Sequence, residues 1–231
     1  PATSQRFEPL ASGYRLTLQS GSDFEAETIL VASGRSGNTE ALGLEAAGLA
    51  AAKRGLLEVD GAYRTRVPHI YAAGDVIGFP ALASTSMEQA RLAMCDAFQL
   101  SYKKALAPIL PYGIYTIPEV SAAGETESSA RAKGLDVVTG KATFKSNARG
   151  QIVGDEHGFL KLVFARDDMR LLGAHVLGEQ ASELVHIGLT AMLCGQGADL
   201  FIQTCYNYPT LSETYKYAPY DALGNRLGKR P

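Results

Sequence analysis

No two cysteines in this sequence form a C-x-x-C pair; Cys95, Cys194 and Cys205 are the three present. An odd number of scattered cysteines fits a reducing compartment better than a disulfide scaffold, so a cytoplasmic location is expected. Each thiol is expected to behave as a small buried hydrophobe. The four histidines, His69, His157, His175 and His186, share no metal-ligand spacing, so no metal site is predicted. No apolar run reaches the roughly 18 to 20 residues of a membrane span. The nearest, Leu184 to Cys194, is short and carries His186. The formal net charge is only −2, which gives no reason to expect nucleic acid or an anionic membrane as a partner. The start has no basic stretch ahead of an apolar core, so no secretory leader is read there. It also has no initiator Met, which points to a fragment, a processed chain or a trimmed one. No G-x-G-x-x-G occurs, so the glycine turn that cradles a dinucleotide pyrophosphate is missing from these residues.

What is present reads as globular protein: 231 residues, 46% hydrophobic and 20% charged. That length suits one large domain or two small ones. Tyr14 to Gln19 alternates in strand fashion and Gly21-Ser22-Asp23 marks a turn. Thr28 to Ala32 is an apolar run ending in Ser33-Gly34-Arg35, which predicts a strand buried on both faces of a parallel sheet. Leu56 to Val59 and Ala62 to Thr65 predict a hairpin turning at Asp60-Gly61. HIYAAGD, residues 69 to 75, predicts another buried strand. Ser84 to Leu106 predicts one long helix, with Thr85-x-x-Glu88 as a capping box. Its expected apolar stripe is Met87, Ala90, Met94, Ala97 and Phe98.

Pro108 and Pro111 then break the chain and mark a domain boundary. Short strands are expected at Gly113 to Ile117 and Val120 to Ala123. A short helix from Thr126 to Lys133 closes at Gly134. Further strands follow at Val137 to Phe144, Phe159 to Ala165 and Leu171 to Leu177, with Leu160, Leu162 and Phe164 on one face. Gln180 to Cys194 predicts an amphipathic helix stopped by Gly195, and GNRLGKRP a loose tail. Strands followed by helices predict an α+β fold with a mainly antiparallel sheet covered on one face.

Two features carry chemistry. Gly74-Asp75 ends a predicted strand, where ligands bind at the carboxyl edge of open α/β sheets. Glycine admits close backbone approach, and the carboxylate can accept hydrogen bonds from sugar or ribitol hydroxyls. The plainer alternative is an aspartate that caps a turn. Leu82 to Thr85 begins the following helix, and its free N–H groups suit an electron-rich atom. The plainer alternative there is an ordinary capped helix.

Five stretches occur in order: ILVASGRSGNTEAL, TRVPHIYAAGDVIGFPALASTSMEQAR, YGIYTIPEVSAAGETE, GFLKLVF with LLGAHVLGEQASELVHIG, and NYPTLSE. Together they resemble the C-terminal half of the pyridine nucleotide–disulfide oxidoreductase superfamily, the group of dihydrolipoamide dehydrogenase and glutathione reductase. The resemblance spans about Tyr14 to Arg226. It implies three parts: 1–27 as the tail of an NAD(P)-binding domain, 28–107 as the C-terminal segment of an FAD-binding α/β domain, and 108–231 as an α+β interface domain that makes a homodimer. It implies FAD and NAD(P) as cofactors of an intact enzyme. Asp75 matches the aspartate that holds the FAD ribitol, and Ala83 matches the helix-start backbone that faces the flavin ring. Gly74 and Leu82 stand beside them as further cofactor-binding candidates. Both dinucleotide fingerprints and the redox cysteine pair of the family would lie before Pro1. FAD is therefore expected to be absent from this chain alone.

The family's disulfide reductases carry an acid–base histidine before the C-terminal proline, oriented by a glutamate four residues after it. Here those positions hold Tyr208 and Glu213. A phenol with an ordinary pKa near 10 substitutes poorly for imidazole in neutral acid–base work. Thiol–disulfide chemistry is thus disfavoured, and Tyr208 is expected not to titrate. Hydride exchange between two nicotinamides through flavin needs no such acid. NYPT, AGDVIGFPALAS and GNRL resemble the transhydrogenase branch of the superfamily. The expected reaction is hydride transfer between NADPH and NAD. Alternatives are a dihydrolipoamide dehydrogenase or mercuric reductase type, or a dimerisation module without catalysis. Tyr208 can also be read as a packed interface aromatic, and Glu213 as a charge in a first helical turn.

Overall fold

The computed structural model describes residues 4–228. The chain divides into two compact units, Pro1–Lys104 and Ala105–Pro231.

The first unit opens with a meander of β1 (Ser4–Pro9), β2 (Tyr14–Leu18) and β3 (Asp23–Ala26), antiparallel throughout. Gly13 sits at φ +104 in the β1–β2 turn, where Leu10 N–H bonds its carbonyl. The expected buried strand at Thr28 to Ala32 does not form. Leu30 is 89% exposed and Val31 71%. A two-faced strand needs a neighbour on each edge, and none pairs with this run among the described residues. The hairpin over 56–65 is also absent. Asp60 Oδ1 accepts from the N–H groups of Ala62 and Arg64, making a turn. Arg64 then pairs with Tyr71, and Leu57 N–H goes to the Val76 carbonyl. HIYAAGD therefore contributes one bridge residue and leads into a 3₁₀ turn at Gly74–Ile77 instead of a strand.

Helix α1 spans Ala83–Ala97, nine residues short of the expected end. Gln99 adopts φ +54, and Leu100 and Gln99 N–H return to the Cys95 and Asp96 carbonyls. That is a Schellman stop without its usual glycine, so no residue type announces the helix end. The capping box is not made: the N-cap is Leu82, Thr85 is buried inside the helix, and Glu88 pairs with Arg91 and Lys103. The expected stripe is the outward face, with Met87, Met94 and Phe98 exposed. The buried side is Thr85, Gln89, Leu92, Ala93 and Cys95. Polar Thr85 and Gln89 lie on that side and hid its period.

The second unit follows its pattern closely. It contains β4 (Tyr112–Ile114), β5 (Val120–Gly124), α2 (Glu127–Ala132), β6 (Val137–Thr143), α3 (Ala148–Val153), β7 (Phe159–Ala165), β8 (Leu171–Leu177), α4 (Ala181–Leu193), α5 (Ala198–Gln203) and α6 (Thr214–Arg226). The sheet order is β4-β5-β8-β7-β6, all antiparallel. Leu160, Leu162 and Phe164 are fully buried beneath α4 and α6 with Ala174, Val176, Val185, Tyr215 and Ala218. Gly140 lets α6 lie directly on β6, since a Cβ there would stand 1.9 Å from the Ala218 carbonyl oxygen. The opposite face carries α2, which buries Ala130 with Val137 and Val163. Thr126 caps α2 in a reciprocal pair with Ser129, and Gly134 follows its end at φ +77.

Helices α3, α5 and α6 escaped the sequence reading. The C-terminal tail is partly ordered: Gly224 to Arg226 finish α6, and Asn225 Nδ2 donates to the Thr139 carbonyl at 2.9 Å. Residues 229–231 lie outside the described residues. Only Cys95 is buried; Cys194 and Cys205 are exposed, contrary to expectation. No described helix is long and apolar enough to cross a membrane.

Candidate functional site

The residues singled out by sequence fall into both compact units. In the first unit Gly74 occupies φ +86 and its N–H donates to the buried Gln89 Oε1 at 2.7 Å. Gln89 belongs to α1, so this bond fastens the Gly74-Asp75 turn to the helix. A Cβ on Gly74 would lie 3.0 Å from Ser86 Oγ, in the first turn of α1. The structure thus brings the Gly-Asp turn against the start of that helix, the juxtaposition that a ligand-facing reading requires. Leu82 caps α1 without a side-chain bond, and Ala83 is exposed. Among the described residues the first-turn amides of α1 thus receive no N-cap side chain.

The Asp75 side chain is 37% exposed and pairs with Arg35 through Nη2–Oδ2 at 3.2 Å. Arg35 follows the apolar run and is 83% exposed. Sequence reasoning quoted it only as the end of an expected strand. An exposed pair of this kind contributes little and exchanges readily for another partner. Asp75 is therefore available as an acceptor for hydroxyls, and glycine at 74 leaves the approach open. These residues fit the ribitol end of FAD.

A second cluster in this unit had no sequence signal, because its members are up to 32 residues apart. Arg64 pairs with Asp96 Oδ2, which also accepts from Tyr71 OH at 2.7 Å. Arg64, and then Tyr71, hold the Asp96 carboxyl below the usual carboxylate range. Asp96 draws the Arg64 guanidinium upward in turn. The cluster ties α1 to the 64/71 bridge. Arg64 also borders a cavity of about 620 Å³ with Leu49, Leu57 and Arg66, which none of Gly74, Asp75, Leu82 or Ala83 lines.

In the second unit Tyr208 lies between α5 and a 3₁₀ turn at Leu211–Glu213. It is 75% exposed, and the Tyr208–Pro209 peptide is cis. Glu213 is the third residue of that turn. It forms a capping box with Thr210, whose N–H reaches Glu213 Oε2 at 3.5 Å. Thr210 Oγ1 donates to the Asn207 carbonyl at 2.7 Å. Within the chain Glu213 thus serves the backbone beside Tyr208. Tyr215, two residues on, is the buried phenol: its OH donates to the Leu184 carbonyl at 2.9 Å and accepts from Gly188 N–H at 3.2 Å. Burial pushes it well above its ordinary pKa.

Helices α4 and α5 frame an open, mostly apolar groove of about 610 Å³, lined by Ile187, Ala191, Leu200, Phe201 and Tyr206 among others. The N-terminus of α4 is capped from β5's entry: Glu119 Oε2 accepts from Ser182 N–H at 3.1 Å and Ser182 Oγ at 2.8 Å. Those bonds lower the Glu119 carboxyl below its usual range. Among the described residues no group of three or more His, Cys, Asp or Glu is placed to hold a metal ion.

Comparison with known proteins follows the same division. Residues 2–91 match the family model described as pyridine nucleotide-disulphide oxidoreductase, and residues 110–219 match the dimerisation domain of that family. The chain is 46% identical over 213 residues to a protein of Mycobacterium bovis named soluble pyridine nucleotide transhydrogenase, covering 92% of this chain and 45% of that one. It is 45% identical over 228 residues to the Pseudomonas putida protein of the same name, covering 96% and 48%. Among solved structures it is similar to LpdA from Mycobacterium tuberculosis, with TM-score 0.83, 29% identity and 95% and 48% coverage. It is also similar to the HOCl-induced flavoprotein disulfide reductase RclA from Escherichia coli, with TM-score 0.86, 25% identity and 95% and 50% coverage. The chain spans about half the length of the relatives it matches.

Proposed function

This chain belongs to the pyridine nucleotide-disulphide oxidoreductase family, and from that premise we propose that it works as the C-terminal portion of a flavoprotein that transfers hydride between NADPH and NAD. The observation that carries this reading is the tyrosine at 208. The identity of 45–46% with proteins named soluble pyridine nucleotide transhydrogenase supports it. A disulfide reductase needs an acid that titrates near neutral pH to protonate its thiolate, and a phenol serves that purpose poorly. Hydride exchange does not need one. FAD, when bound, supplies the two-electron carrier between the two nicotinamides. The chain's own residues hold and orient it: Asp75 accepts hydroxyl hydrogen bonds, Gly74 leaves room, and the amides at Leu82 and Ala83 face the electron-rich edge. Tyr208 stands near the flavin of a second subunit and moves no proton. Glu213 shapes the segment that presents it.

In this reading residues 1–27 close an NAD(P)-binding domain, 28–107 complete the FAD-binding domain, and 108–231 form the interface domain of a cytoplasmic homodimer. The apolar groove on α4 and α5 supports the last assignment. The chain alone is expected to hold no FAD. Asp75 offers a charged hydrogen bond worth roughly 1.5 to 3 kcal/mol, and each amide adds about 1 kcal/mol. Association costs about 4 kcal/mol or more, so at most about 1 kcal/mol remains, well short of the roughly 4 kcal/mol that even millimolar binding needs.

The test uses the intact FAD-bearing protein under anaerobic conditions with NADPH and the thionicotinamide analogue of NAD. One analogue molecule reduced per NADPH oxidised is the expected balance. NADPH oxidation without analogue reduction would refute the reading.

A further inference from the structure

Asn147 is a buried polar residue, 5% exposed, in the link between β6 and α3. A buried amide must find partners for both ends of its side chain. Its Oδ1 accepts from Gly150 N–H at 3.1 Å and caps α3. Its Nδ2 donates to the Thr210 carbonyl at 3.0 Å, 63 residues away in sequence. The anchor itself is fixed: Asn147 N–H bonds the carbonyl of fully buried Phe144 at 2.9 Å. Gly150 packs so tightly there that a Cβ would lie 2.1 Å from the Phe144 carbonyl oxygen.

In the segment it reaches, Tyr206 packs against the core and Leu211 is buried in it, but residues 207–209 between them are exposed. Tyr208 is exposed, so burial does not fix its backbone. The Thr210–Asn207 and Thr210–Glu213 bonds are internal to the segment. They set its shape and leave its place in the unit open. Lys216 Nζ holds the upstream end at the Thr204 carbonyl, 2.9 Å, from α6. Asn147 ties the downstream end to the sheet.

We propose that Asn147 is the positioning residue for the Tyr208 segment, holding Thr210 so that residues 207–210 are presented in one place. The proposal rests on the reading of Tyr208 as part of a flavin-facing surface, but the tether exists whatever the reaction. The side chain must accept at one end and donate at the other, which asparagine does. Aspartate keeps the acceptor and loses the donor. Serine keeps the cap and is too short to reach Thr210.

This difference separates cap from tether. Hydrogen exchange is followed in the intact flavoprotein carrying N147D or N147A, with N147S in reserve should a buried carboxylate prevent folding. The Gly150 amide reports the cap, and the Thr210 and Glu213 amides report the tether. Loss of one ordinary hydrogen bond corresponds to roughly a three- to tenfold faster exchange. N147D and N147S are expected to speed Thr210 and Glu213 by that factor while Gly150 stays protected. N147A is expected to speed all three. Steady-state kinetics supply the second arm, with FAD content matched: kcat falls in N147D while KM for NADPH holds. Unchanged exchange at Thr210 and Glu213 in N147D, or in N147S where N147D does not fold, would overturn the proposal. So would an equal loss of protection throughout β6, β7 and β8, which marks a general fold residue. A protein with no hydride-transfer activity refutes the functional reading, and the exchange result still decides the tether.

Discussion

Replacing Gly74 with alanine tests whether the Gly-Asp turn is built as described. Gly74 sits at φ +86, in the region that L side chains rarely adopt. Holding a residue with a Cβ there costs about 1 to 2 kcal/mol. The new methyl would also meet Ser86 Oγ at 3.0 Å and Ser86 Cβ at 3.3 Å. Serine's hydroxyl can turn only by giving up its bond to the Leu82 carbonyl, so that contact adds about 1 kcal/mol. The sum is a loss of about 1 to 3 kcal/mol, borne by the turn and by the Gly74–Gln89 bond that fastens it to α1. Urea denaturation followed by circular dichroism measures it, with hydrogen exchange in α1 locating the loss. Two comparisons separate the causes. In a Ser86→Ala background the Gly74→Ala cost should fall toward the backbone share, since only the contact with Cβ at 3.3 Å remains. Gly61→Ala, where a Cβ meets nothing within 4 Å and φ lies outside the left-handed region, should be neutral or slightly stabilising. A Gly74→Ala chain as stable as wild type would show that the turn is not held at positive φ, and the placement of Asp75 beside α1 would fall with it.

Glu119 caps α4 with its pKa depressed by the Ser182 bonds. Its contribution is therefore present above the unfolded-state pKa and lost as pH falls through the lower folded-state value. Glu119→Gln should cost about 0.5 to 1 kcal/mol at pH 7 and nothing at about pH 2, read from urea midpoints; a gap that persists in acid would contradict the charge-based cap. Tyr208→Phe in the intact enzyme should change hydride transfer only a few-fold, whereas a loss of about a thousandfold would reveal a chemical role for the phenol. Sedimentation at micromolar concentration should give a dimer through residues 108–231, consistent with an interface on the order of 2,000 Å²; a clean monomer would remove the interface assignment.

The two units differed in how much could be read from their residues. In the second, β6, β7 and β8 alternate cleanly and each buries one face, so Leu160, Leu162 and Phe164 declared the core. Gly134 and Gly195 stand at φ +77 and +65 just past helix ends, as punctuation should. Helices α3 and α5 were too short to show a period, at six residues each. Helix α6 carries Pro219 and exposed tyrosines that blur its stripe. The first unit misled because its local pattern asks for partners that the described residues do not supply. Thr28 to Ala32 reads as a central strand and stands exposed. The outward face of α1 is more apolar than its buried side, so periodicity pointed the wrong way. The turn at Gly74-Asp75 and the helix start after Leu82 were legible as local structure, although the strand expected before the turn did not form. Arg35, the Arg64–Tyr71–Asp96 cluster and Asn147 were not, because each acts through a contact distant in sequence. The Thr210–Glu213 capping box was half legible, since a glutamate in a first helical turn was one of the readings open for Glu213.

Acceptor choice by the intact flavoprotein tests the central claim most directly. NADPH is supplied with the thionicotinamide analogue of NAD in one reaction, and with glutathione disulfide or lipoamide in others, at matched concentrations and neutral pH. The analogue should be reduced at least a hundredfold faster than either disulfide, on the order expected for a missing general acid. Disulfide reduction at a comparable or higher rate would contradict the assignment, and would mean that thiol chemistry proceeds with Tyr208 where an imidazole was thought necessary.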